Sequence, residues 1–75
     1  MAAAYSIFKL TYANNEVISC KIADANIVLD GLYHYEHKNG KMIYAFIKAS
    51  NEEQAIAVSH TIVFDLKLKY SDQII

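Results

Sequence analysis

The sequence predicts an α+β fold: a four-stranded antiparallel sheet built from two β-hairpins, with one C-terminal helix packed on one face. Three observations carry this. Residues 5–12 and 16–22 are rich in β-formers and flank Asn14-Asn15. Residues 32–38 and 41–49 alternate in strand fashion around Asn39-Gly40. Ser50-x-x-Glu53 then has the form of a capping box ahead of apolar residues at helical spacing.

In the first hairpin, Asn tolerates the left-handed backbone that tight turns need. A three-residue loop, 13–15, pairs Leu10 with Ile18 and Phe8 with Cys20, and so gathers Phe8, Leu10, Tyr12, Ile18, Cys20 and Ile22 on one face. A two-residue loop would oppose Phe8 to Lys21 and mix the faces. Because register follows the hydrophobic pattern, the longer loop is expected. Residues 23–31 are ambiguous. The reading adopted is a turn at 23–26, extended chain from 27 and a bulge or bend at Gly31; a short helix near 24–30 would instead give ββαββα.

The second hairpin has the stronger signal. Asn-Gly suits a type I′ turn, which requires positive φ at both central residues. The two-residue loop opposes His37 to Met42, Tyr35 to Tyr44, Tyr33 to Phe46 and Leu32 to Ile47. One face is then aromatic, with Tyr33, Tyr35, His37, Met42, Tyr44 and Phe46. The other, with Leu32, His34, Glu36, Ile43, Ala45 and Ile47, is more aliphatic and suits a closely packed helix. Ala55, Val58, Ile62 and Leu66 place that helix at 51 to about 68, against a weaker strand-like alternation over 62–70. Residues 1–4 and 70–75 are expected to be flexible ends of a single small domain spanning 1–75.

The chain has 75 residues, 55% of them hydrophobic and 20% charged, which excludes disorder. A chain of this size buries only about 60% of its unfolded surface, so its core is near the lower limit for independence. No apolar run is long enough to span a membrane as a helix. The single Cys20 cannot form an internal disulfide, and the N-terminus lacks the pattern of a secretion signal; both suggest a cytoplasmic location. The seven basic residues are all Lys and are offset by eight acids, which argues against nucleic acid.

Chemistry-bearing patterns are weak. His34, Glu36 and His37 alternate across a strand, so they do not converge as metal ligands, and no metal or other cofactor is expected. Cys20 lies on an apolar strand face, where a thiol is usually inert. Glu52 and Glu53 open the helix, where carboxylates favour its dipole. No glycine-rich phosphate loop is present.

One helix covers one side of a sheet, so the aromatic face is expected to meet another chain. This reads as a non-enzymatic protein–protein interaction module that self-associates, a dimer being favoured. Tyr33, Tyr35, Met42, Tyr44 and Phe46 are the expected contacts. Two other readings use the same elements. One is a binder of single-stranded nucleic acid or a small ligand on the rings. The other is an enzyme subunit whose His34, Glu36 and His60 complete a site across an interface.

Overall fold

The computed structural model describes residues 5–24 and 26–71. Strands β1 (Ser6–Ala13), β2 (Glu16–Ile22), β3 (Tyr33–Lys38) and β4 (Lys41–Ala49) precede helix α1 (Glu52–Ser71). The strands form one antiparallel sheet in the order β2-β1-β4-β3, so two hairpins join through β1 and β4. The predicted α+β architecture is present. The ββαββα alternative is not. Among the described residues between β2 and β3 there is a turn, in which the Asp24 carboxylate accepts from the Asn26 N–H and the Asp24 carbonyl from the Ile27 N–H. A bend follows at Gly31, and regular strand begins only at Tyr33.

Both hairpins turn on two residues. Asn14 and Asn15 have φ of 54° and 64°, and Asn39 and Gly40 have 53° and 85°, the positive values a type I′ turn requires. The expected three-residue first loop is therefore corrected. Ala13 pairs with Glu16 and Tyr12 with Val17, after which β2 carries one extra residue, Ile18, before Thr11 meets Ser19. The second hairpin repeats this geometry. Lys38 pairs with Lys41 and His37 with Met42 as expected; β4 then inserts Ile43, so that Glu36 meets Tyr44, Tyr35 meets Ala45, His34 meets Phe46 and Tyr33 meets Ile47. A bulge adds a residue to one strand only, so it restores the phase that a two-residue turn alone would lose. In the first hairpin Phe8 regains Ile22 and Leu10 regains Cys20 as same-face partners.

The two turns lie side by side. The Asn15 side chain donates to the Gly40 carbonyl at 3.2 Å and accepts from the Met42 N–H at 2.7 Å. It thus supplies a partner to a main-chain donor that the bulged ladder turns away from β3.

Helix α1 runs back over the sheet, burying Ala55, Ser59, Ile62, Val63 and Leu66 against Phe8, Leu10, Tyr12, Met42, Ala45 and Ile47. Small residues at Ala45, Ala49, Ala55 and Ser59, each with no exposed surface, let the helix approach closely. The buried Tyr12 hydroxyl shares a hydrogen bond of 2.5 Å with Ser59 Oγ, so neither polar atom enters the core without a partner. The helix start lies one residue beyond the expected box: Asn51 Oδ1 accepts from the Gln54 N–H, and Gln54 Oε1 accepts from the Ser50 N–H and hydroxyl. Asn caps as well as Ser, and Gln54 takes the reciprocal role assigned in the sequence to Glu53.

The helix extends past its expected end at 68. Tyr70, read as part of a flexible tail, belongs to it, and its ring meets His37 edge-on at 5.4 Å. Residues 1–4 and 72–75 lie outside the described residues. Tyr70 also closes over Gly40, where a Cβ would sit 2.8 Å from the Tyr70 ring. Gly40 is thus constrained by backbone sign and by space together. Gly40→Ala is expected to cost about 1–2 kcal/mol from the left-handed backbone alone, lowering Tm by roughly 5–15 °C. Thermal unfolding followed by circular dichroism checks this; an unchanged Tm would show that neither the left-handed backbone nor the Tyr70 contact constrains Gly40.

Candidate functional site

The bulges decide which side chains share a face, and they overturn the predicted aromatic face. Tyr33, Tyr35 and His37 project to the same side as Met42, Ala45 and Ile47, which is the helix side. Tyr44 and Phe46 project to the other side with His34 and Glu36. The five expected contact residues therefore divide. Met42 is buried beneath the helix, Tyr33 and Tyr35 stand at the outer strand beside the helix, and Tyr44 and Phe46 stand on the uncovered face. The register set by the turn holds as far as Met42, and the extra residue Ile43 shifts it beyond that point.

The uncovered face differs from expectation too. Its alternate positions carry Lys9, Thr11, Ser19, Lys21, His34, Glu36 and Lys48 around Tyr44 and Phe46. This is largely the polar surface that a solvated antiparallel face should have. The two rings meet edge-on at 5.5 Å, and Lys9 Nζ lies 5.9 Å from each ring centre. The His34 ring is 6.4 Å from Tyr44, and its Nε2 lies 3.0 Å from Glu36 Oε2.

Strand β3 has a different character because it is an edge. Leu32 accepts a hydrogen bond from the Lys48 N–H at 2.8 Å. Antiparallel alternation then turns Leu32, His34, Glu36 and Lys38 toward β4, and points the main-chain N–H and C=O groups of Tyr33, Tyr35 and His37 outward. On the helix side of this edge lie two hollows that share Tyr33. One, of about 330 Å³, is bounded by Tyr5, Leu32, Gln54 and Val58; the other, of about 350 Å³, by Tyr35, Ile62, Asp65, Leu68 and Lys69. Leu32, Tyr33 and Leu68 are all exposed there. The neighbouring rings of Tyr33, Tyr35 and His37 form a continuous row, with centres 6.1 Å apart at each step.

The opposite edge, β2, is built otherwise. Its extra residue, Ile18, lies in the edge strand itself, whereas the second hairpin places its extra residue in the inner strand β4. A bulge in an edge strand disrupts the row of main-chain groups that a neighbour would need. β3 is left regular.

Among the described residues no three His, Cys, Asp or Glu side chains converge in a way that could hold a metal ion. His34 is on the uncovered face and His60 on the helix, so the two do not meet within one chain. Cys20 is half-buried on the helix side; burial, followed by the nearby Glu52 charge, pushes its thiol above the ordinary value. Burial also raises the Tyr12 phenol, opposed by its Ser59 hydrogen bond and assisted by Cys20. No described helix is long and apolar enough to cross a membrane.

Comparison with protein-family models, with curated proteins and with solved structures finds no match to this chain.

The sign of the two shifts gives a pH prediction. Each group is neutral when protonated and holds its proton more tightly in the folded state, so its contribution is complete below the unfolded pKa and is lost as pH rises through the folded one. Stability should therefore decline on the alkaline side, first for Cys20 and then for Tyr12. Cys20→Ser should remove the earlier part of that decline in chemical denaturation between neutral and alkaline pH. At mildly alkaline pH the native thiol should react with a thiol reagent more slowly than the same thiol in unfolded chain; equal rates would refute the assigned environment.

Proposed function

We propose that this chain is a small protein–protein interaction module that acts by binding along the β3 edge. One observation carries the reading: β3 is a regular edge strand whose outward main-chain groups at Tyr33, Tyr35 and His37 lie beside a tyrosine-lined groove in which Leu32, Val58, Ile62 and Leu68 are bordered by Lys48, Gln54, Asp65 and Lys69. Strand addition uses this combination. The main chain supplies hydrogen bonds, and alternate side chains of the added strand enter the neighbouring groove. Tyr suits such a margin, since its ring buries apolar area while its hydroxyl stays wet. Two of the five residues expected from the sequence keep a place in this reading. Tyr33 and Tyr35 line the groove, whereas Tyr44 and Phe46 stand on the inner strand β4, on the other face of the sheet. Met42 contributes to the core instead.

The test separates edge from face. Tyr33→Glu together with Tyr35→Glu should weaken assembly with the polypeptide partner at least tenfold, about 1.4 kcal/mol, while Tyr44→Glu leaves it within a few-fold. Native-size separation of the complexed chain from its source cells reads the result, with helical circular dichroism as the folding control. Loss of the complex in Tyr44→Glu alone would move the site to the uncovered face.

A second reading rests on a separate observation. Lys9 lies over both Tyr44 and Phe46, and Lys21 and Lys48 share their face with two carboxylates, Glu16 and Glu36. Rings with cationic neighbours can stack single-stranded bases. On this reading a labelled oligothymidylate binds at low salt and is released as salt rises, and Phe46→Ala removes the binding. Absence of binding at low salt eliminates the reading.

A further inference from the structure

We propose that the occupant of the β3 edge is a second copy of this chain, joined antiparallel about a two-fold axis through Tyr35. The inference rests on β3 being the binding edge, and it names the partner from hydrogen-bond phase and charge.

The outward-facing residues of β3 are Tyr33, Tyr35 and His37. For two copies to exchange ladder hydrogen bonds, outward residues must face outward residues. Strand β3 has six residues, and two such registers pair all but one of them. One is centred on Tyr35 and the other on Glu36. The second sets Glu36 against the partner's Glu36 and His34 against the partner's Lys38, so two carboxylates meet on the axis. Like charges directly opposite destabilise a sheet. In the register centred on Tyr35, His34 faces the partner's Glu36, and symmetry repeats that pair.

These are non-hydrogen-bonded positions, where opposed side chains come closest. Within one chain His34 and Glu36 are already 3.0 Å apart and both are about half exposed. The two-fold would close two such pairs into a four-membered cluster on the uncovered face. On the helix side, Tyr35 meets the partner's Tyr35, and Tyr33 meets the partner's His37. The ring row of each chain thus continues into the next, and the partner's tyrosines enter the hollow beside Leu68. The interface is isologous, so it closes at two copies. The bulged β2 edges remain at the two ends of the joined sheet and do not propagate it.

The experiment is a charge-reversal cycle read by light scattering after size exclusion, over a wide concentration range. Wild type should approach twice the 8.5 kDa chain mass. H34E sets carboxylate against carboxylate across the seam and should raise the dimer dissociation constant at least tenfold. The exchanged pair H34E/E36H restores the complementary facing and should return most of that loss. H34K, which places a cation opposite Glu36, should remain dimeric. The two positions changed, 34 and 36, are both about half exposed, and helical circular dichroism confirms that each protein is folded. A wild type that is monomeric at every concentration overturns the second-copy inference, but leaves the β3 edge as the site for a different polypeptide. A dimer unmoved by H34E overturns this register. A dimer unmoved by both H34E and the Tyr33→Glu, Tyr35→Glu pair overturns the β3 reading as well.

Discussion

The phase of the two hairpins governs this structure. Each turn contains two residues with positive φ, and each would by itself put the wrong side chains on the core face. A single extra residue in the second strand of each hairpin, Ile18 and Ile43, corrects the phase. Phe8 and Leu10 meet Ile47 and Ala45 directly across β1 and β4, and the insertions bring Cys20, Tyr35 and Met42 to that same helix side. The pair of adjacent turns is then tied by Asn15, which serves both a turn carbonyl and the Met42 N–H.

From the bulges follows the contrast between the two sheet edges. The first hairpin places its insertion on the outer strand, and that edge is broken. The second places it on the inner strand, and the outer one keeps an uninterrupted alternation. The same device therefore interrupts one edge and leaves the other regular. The helix contributes from above: its closely packed small residues hold it over the centre of the sheet, leaving the groove beside Tyr33 and Tyr35 open.

The core contains a polar element that fits this economy. Ser59 gives the helix a small contact residue, and its hydroxyl satisfies the Tyr12 phenol, which reaches in from the turn end of β1. Farther along, Tyr70 lies against Gly40 and His37, joining the helix terminus to the second turn. In a chain of 75 residues such contacts at the helix margin matter, because little apolar surface is available for a larger core.

Local chemistry made the elements legible in the sequence. Asn-Gly and Asn-Asn mark turns, alternating β-formers mark strands, and the apolar spacing after Ser50 marks the helix. The strand-like alternation over 62–70 lost to helical packing, and the helix ran on to Ser71. The sequence did not reveal how Tyr33 and Tyr35 separate from Tyr44 and Phe46, nor that Met42 is buried, because a bulge leaves no compositional mark in β-branched and aromatic strands. Periodicity fixes faces only while the count across two strands stays equal. Where one strand adds a residue, the choice depends on which arrangement lets the helix bury the most apolar surface with its polar groups paired, and only the tertiary structure decides that.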